Sequence, residues 1–180
     1  MDDILNSGTV LPFMAHGIDQ VALIVENLDK AMQKFSDRLG VGPWRIYTYG
    51  KPLVKKMAYR GQPADFAMRI ALSSIGALNI ELIEMIHGET IYAEYVAKHG
   101  YGLHHWGIFV DDMGAALAEA AARGIEVIQE GSGFGLDGSG HYAYLDTEDS
   151  MGIVLELIEL PKVRAAPERI FPAPDGQGGA

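Results

Sequence analysis

GIDQVALIVENLDKAM (17–32) and GLHHWGIFVDDMGAAL (102–117) lie over one another without a gap, at an offset of 85 residues from Gly17 to Gly102. Each opens on glycine, alternates into an apolar run and reaches an amide or acid, Asn27 or Asp112, suited to cap a helix. A repeated supersecondary unit dictates architecture, so the chain is read outward from this pair.

Apolar residues next recur at helical spacing: Leu28, Ala31, Met32, Phe35 and Leu39 in the first copy, Met113, Ala116, Leu117 and Ala120 in the second. Gly40 and Gly124 stand where these helices would stop. Hairpin-like sequence follows, beginning at MAYRG (57–61) in one copy and IEVIQE (125–130) in the other. Both copies close alike, on NIELIEMI (79–86) and VLELIELP (154–161), at an offset of 75 residues. The order is β-α-β-β-β, twice: a first module at 17–86 and a second at 102–161. Between them, 87–101 carries Ile91, Tyr95 and Val96 at near-helical spacing and predicts a linking helix. Residues 162–180 form a C-terminal extension. From Ala165 it gathers Pro167, Pro172 and Pro174, and a mobile or surface-wrapping tail is expected.

Composition narrows the function classes. The 180 residues carry 14 Lys+Arg against 24 Asp+Glu, a formal charge of −10, which would repel a phosphate backbone; no nucleic-acid partner is expected. No cysteine is present, so any metal must be held by nitrogen and oxygen. The N-terminal stretch is acidic where a signal peptide is basic, and no apolar run approaches the roughly 20 residues of a membrane span. A cytoplasmic protein with no membrane partner is the expectation.

Four polar residues occupy equivalent places in the repeat. Gln20 and His105 share one position of the two opening strands, and Glu81 and Glu156 share one position of the two closing strands. Modules related by a pseudo-twofold axis would bring such residues together, giving one nitrogen and several oxygens around one divalent metal ion: Zn, Co, Ni, Mn or Fe. Each sits in an otherwise apolar strand, where burying a carboxylate is costly unless it is paired or binds a cation. A single strand Glu is usually solvated; joint placement at equivalent positions is what independent surface residues would rarely show.

The blocks IDQVALIVENLDKAM, IELIE, GLHHWGIFVDD and LELIEL resemble those of the vicinal oxygen chelate superfamily (glyoxalase, bleomycin resistance protein, dioxygenase), over roughly residues 17–161. Within it, AEYVAKHGYGLHHWGIFVDD most resembles methylmalonyl-CoA epimerase-like and glyoxalase-like proteins, while the ligand set is nearer to glyoxalase I. Gln20 departs from the similar epimerases, which usually have His there. The resemblance implies an α+β fold, two βαβββ modules whose mixed sheets form a curved sheet around a metal site, with Gln20, Glu81, His105 and Glu156 as ligands. It implies an epimerase, racemase or isomerase that abstracts a proton next to a carbonyl through a metal-stabilised enolate, with Glu81 and Glu156 as catalytic bases. The substrate would be a small carbonyl compound, with acyl-CoA esters among the candidates, and the protein a homodimer. Alternatives are a lactoylglutathione-lyase-like isomerase and a bleomycin-resistance-like binding protein; an extradiol dioxygenase would want a second His where Gln20 stands.

Neighbouring residues have plainer expectations. Strand alternation should turn His104 to the face opposite His105, and Glu84 and Glu159 away from Glu81 and Glu156. His16, His87, His99 and His141 are expected at the surface. Asp65 is a weaker base candidate, equally explained by a turn. Lys55, Lys56, Arg60 and Arg69 are either an anion-receiving cluster or a solvated strand face. Trp44, Tyr47, Tyr49 and Trp106 are pocket or core residues. GSGFGLDGSGH (131–141) reads as a flap near the pocket and not as a phosphate loop, because no helix follows it.

Overall fold

A computed structural model describes residues 10–173. Its strands and helices are β1 (Gln20–Ile24), α1 (Leu28–Leu39), β2 (Trp44–Tyr49), β3 (Lys56–Tyr59), β4 (Gln62–Pro63), β5 (Ala67–Ile75), β6 (Leu78–His87) and α2 (Ile91–His99). They continue as β7 (Gly102–Phe109), α3 (Met113–Ala122), β8 (Val127–Ser132), β9 (His141–Leu145), α4 (Glu148–Met151), β10 (Val154–Glu159) and β11 (Arg169–Phe171). The eleven strands form one curved, unclosed mixed sheet in the order β11-β2-β5-β6-β1-β7-β10-β9-β8-β3-β4. The fold is α+β.

The repeat is visible in the pairing. β1 runs parallel to β6, β7 runs parallel to β10, and β1 and β7 meet antiparallel within the chain. Asn27 and Asp112 accept hydrogen bonds from Lys30 N and Ala115 N and so start α1 and α3. Gly40 takes the left-handed conformation after α1, and Gly124 does so just past α3. Glu84 and Glu159 do turn away from the concave face: their carboxylates accept from Leu28 N and Met113 N, the first residues of the two helices.

α1 packs its apolar stripe on one half of the outer face, over Trp44, Ile46, Ala71, Ile80 and Leu82; α3 covers the other half, over Ile108, Ala143, Leu145, Leu155 and Leu157. Trp44 and Trp106 belong to these outer layers, with Trp44 meeting Phe35 edge-on and donating to Ser36 Oγ. On the concave side Ala22, Ile24, Met68, Ile70, Ile83, Tyr142, Tyr144 and Val154 form a second core, closed at one end by Tyr92 of α2.

Two differences from the sequence reading concern the edges. The strand beside β5 is Trp44–Tyr49, while MAYRG belongs to a β3–β4 hairpin that leaves the first repeat and pairs antiparallel with β8 of the second. Alternating residues mark a strand but do not name its partner. The tail from Ala165 wraps, and its Glu168 and β11 pair with β2, with Glu168 accepting from both Thr48 N and Thr48 Oγ1. The last residues of the expected tail, 174–180, lie outside the described residues. Among the described residues no helix is long and apolar enough to cross a membrane.

Candidate metal centre and substrate cavity

The centre of the concave face is polar. Gln20 comes from β1, Glu81 from β6, His105 from β7 and Glu156 from β10, and all four are buried. The carboxylate and imidazole ligand atoms of Glu81, His105 and Glu156 lie within 4.8 Å of one another. His105 Nε2 stands 3.0 Å from Glu156 Oε2 and 3.4 Å from Glu81 Oε2. Gln20 Nε2 stands 3.0 Å from Glu81 Oε2 and 3.5 Å from Glu156 Oε2.

Two acids and one imidazole buried together could hold a metal ion. Burial raises the Glu81 pKa, with His105 opposing and Glu156 adding to the rise. Burial also works against a charged His105, but the Glu156 and Glu81 carboxylates outweigh it and raise its pKa to about 9. Protons shared among Glu81 and His105, or a bound cation, would balance the buried charge.

The arrangement fits a divalent metal ion. Ligands at about 2 Å from a tetrahedral ion stand about 3.3 Å from each other, which is the spacing found here. His105 Nε2, for all its closeness to both carboxylates, is aligned for a hydrogen bond to neither. Once it gives up its proton, Nε2 presents a lone pair between the two acids, which suits a ligand. Gln20 presents Nε2 as a donor; turned half a revolution, the same amide presents Oε1 as a fourth oxygen.

Glycine makes room for this centre. Gly107 lies opposite Gln20 in the β1–β7 ladder, and a Cβ there would come within 2.9 Å of Gln20 Cβ and 3.0 Å of Ile158 Cδ1. Its repeat equivalent, Ala22, lies opposite His105 and carries its methyl fully buried. The signal for Gly107 was present in the sequence as a glycine inside a strand that had already opened on Gly102.

His104 departs from the expected alternation. Ala22 pairs with His105 but Leu23 pairs with Leu103, so His104 is an extra residue bulged out of the ladder. Its ring therefore sits beside that of His105, Nδ1 to Nδ1 at 2.9 Å, among Tyr92, Tyr95 and Tyr144. Burial, with the charge of His105, pushes the His104 pKa down to about 2.

A cavity of about 140 Å³ opens over Gln20, Glu81 and Glu156. Tyr47, Tyr49, Tyr142, Tyr144, Phe134 and Met68 supply much of its wall. Phe134 comes from the glycine-rich loop, which the Gly133–Gly140 and Gly135–Ser139 backbone bonds hold as a closed turn tied to Val163. Arg164 is the one cationic side chain lining this cavity, and it makes no hydrogen bond or ion pair among the described residues. The sequence reading missed it because it belongs to the tail, not to the repeat.

The other candidates fall elsewhere. Asp65 pairs with Lys51 at the surface, Arg60 with Glu94, and Arg69 with Glu84 and Asp29; Lys55 donates to Pro52 O. None of these lines the cavity. His16 and His87 are exposed, while His99 and His141 are paired with Glu148 and Glu130.

The family model described as Glyoxalase/Bleomycin resistance protein/Dioxygenase superfamily matches residues 19–144. Among solved structures, methylmalonyl-CoA epimerase from Mycobacterium tuberculosis is similar with a TM-score of 0.61 and 20% identity, over 85% of this chain and 93% of that one. A hypothetical protein from Bacillus halodurans C-125 is similar with a TM-score of 0.57 and 21% identity, over 83% and 97%. Streptomyces coelicolor methylmalonyl-CoA epimerase, in complex with 2-nitronate-propionyl-CoA, gives 0.56 and 20%, over 83% and 97%. These are likenesses of fold. No curated protein matches the sequence significantly.

Proposed function

The chain belongs to the Glyoxalase/Bleomycin resistance protein/Dioxygenase superfamily, and from that premise we propose that it is a metal-dependent isomerase that moves a proton at the carbon next to a substrate carbonyl. The observation carrying this reading is the convergence of Gln20, Glu81, His105 and Glu156 on one buried point beneath an apolar cavity. A divalent ion held by these residues (Zn, Co, Ni, Mn or Fe) supplies a Lewis acid for the carbonyl oxygen, which acidifies the adjacent C–H bond. Glu81 and Glu156 occupy equivalent places about the β1–β7 junction, and both line the cavity. One carboxylate takes the proton, and in an epimerase the other returns one to the opposite face. Gln20 orients whichever carboxylate it touches. The surrounding tyrosines and Phe134 exclude water from the reacting carbon.

Epimerisation is favoured within this class because proteins of similar fold carry the name methylmalonyl-CoA epimerase. The cavity of about 140 Å³ is near the roughly 150 Å³ that admits one benzene molecule. The reacting end of the substrate is therefore a compact, apolar acyl group, and any CoA carrier lies outside it. Arg164 meets an anionic group at the mouth, which a chain of net charge −10 would otherwise repel. A lactoylglutathione-lyase-like isomerase would use the same chemistry. The aromatic wall also favours a second reading, a binding protein that performs no proton transfer. A homodimer belongs to the proposal on family resemblance alone.

The test is the metal content of untagged protein by elemental mass spectrometry, beside a Glu81→Ala, His105→Ala double variant, followed by solvent deuterium exchange into small acyl-CoA and 2-substituted ketone substrates. About one divalent ion per chain, lost in the variant, with exchange at the carbon next to the carbonyl, supports the isomerase. Metal without exchange leaves the binding protein. A wild type that neither holds nor accepts Zn, Co, Ni, Mn or Fe overturns the metal mechanism.

A further inference from the structure

The bulge at His104 gives the metal-ligand candidate a partner that strand alternation would have denied it. Both histidines turn to the concave side, and their Nδ1 atoms are 2.9 Å apart, a distance at which one ring must donate and the other accept. From this we infer that His104 is a positioning residue that fixes the tautomer of metal-bound His105, holding its Nε2 lone pair toward the ion that Glu81 and Glu156 would share. The inference rests on the proposed metal site.

A neutral imidazole carries one ring proton. If His104 donated, the single proton of a neutral His105 would sit on Nε2, the atom 3.0 Å from Glu156 and 3.4 Å from Glu81, and no lone pair would face the proposed metal position. With His105 Nδ1 as donor, Nε2 is free for a cation and the remaining proton of His104 lies on its own Nε2. That atom is buried without a polar partner among the described residues. Its ring instead meets Tyr95 at 4.9 Å and 86° and Tyr92 at 5.3 Å and 66° between ring centroids. An N–H set edge-on to an aromatic ring keeps a weak acceptor. Tyr92 and Tyr144 are in turn joined hydroxyl to hydroxyl at 2.7 Å, which stiffens this surround.

The first repeat has no histidine at this place. The equivalent of His104 is Asp19, which lies just before β1, gives its backbone N–H to Gly107 O and accepts from Phe109 N at its carboxylate. Bulges re-aim side chains beside functional sites, and this one sets the His104 ring against the histidine ligand candidate. Groups behind a histidine ligand typically contribute tenfold to hundredfold in metal affinity.

The experiment uses zinc-loaded, nitrogen-15-labelled full chain, with zinc affinity measured by chelator competition for wild type, His104→Asn and His104→Leu. Asn keeps an acceptor near the place of Nδ1; Leu does not. Expected are a His105 resonance pattern with the proton on Nδ1, and a coupling across the hydrogen bond between the two Nδ1 nitrogens in the wild type. Zinc affinity should fall about tenfold to hundredfold in the Leu variant and by less than about threefold in the Asn variant. A His105 proton on Nε2, or a Leu variant that binds zinc as tightly as wild type, overturns the inference and spares the metal site. Wild type that binds no zinc overturns both, and the nitrogen spectrum decides the tautomer even if the Leu variant does not fold.

Discussion

Val21 and Trp106 face each other across β1 and β7, and the 85-residue offset of the repeat carries one onto the other. They therefore mark the pseudo-twofold axis, with their side chains in the outer layers beneath α1 and α3. The flanking pairs, Gln20 with Gly107 and Ala22 with His105, are exchanged by the same offset. Ala22 then pairs with Glu81 and Gly107 with Glu156, which draws both acids to the axis. Symmetry is the reason two carboxylates face one another in an apolar interior.

That opposition has a cost which a cation would relieve. Glu81→Gln removes one buried charge and should stabilise the metal-free protein by about 1 kcal/mol, raising its unfolding midpoint by roughly 2–4 °C. The same variant should lose most of the stabilisation that added Zn or Co gives the wild type. Calorimetric scans with and without metal read both effects. A variant less stable than wild type without metal and equally stabilised with it would refute the account.

Metal uptake should be pH-dependent. In the metal-free protein His105 holds its proton up to about pH 9, because Glu156 and Glu81 favour the charged ring more than burial opposes it. A metal needs the Nε2 lone pair, so binding below that pH displaces a proton, and affinity should rise by up to about tenfold per pH unit from pH 6 to 8. Competition titrations with a chelator of known pH behaviour check the slope. An affinity independent of pH across that interval would refute it.

Gly107→Ala places a methyl against Gln20 and Ile158, at 2.9 and 3.0 Å before any shift. Overpacking of this kind costs about 1–3 kcal/mol, and relief means displacing Gln20 from the acids. Thermal stability and metal affinity should fall together in this variant. Ala22→Gly, at the equivalent place in the repeat, should leave metal affinity unchanged.

Arg164→Ala should weaken binding of an anionic probe, phenylglyoxylate, by about tenfold and leave its neutral analogue, acetophenone, unchanged. Arg164→Lys should restore part of the loss. Isothermal titration of the metal-loaded protein distinguishes these outcomes. Equal losses for both probes would mean that Arg164 shapes the cavity and does not recognise charge.

Much of this protein is written in local sequence. The apolar periods that end at Asn27 and Asp112 specify β1-α1 and β7-α3, because caps and amphipathic faces are local properties. The offsets of 85 and 75 residues place Gln20, Glu81, His105 and Glu156 at matching positions, because a strand that pairs within a repeat keeps its register in each copy. What local sequence did not determine are the features that depend on a partner from elsewhere. The β3–β4 hairpin finds the free edge of β8, and β11 finds the free edge of β2, because any exposed row of backbone donors and acceptors will accept a suitable strand. Arg164 reaches the cavity only because β11 anchors the segment beyond it. His104 shares a face with His105 only because the β1–β7 ladder accommodates one extra residue. Sequence set which side chains each strand would present; tertiary pairing decided which edges closed, and hence what surrounds the buried acids.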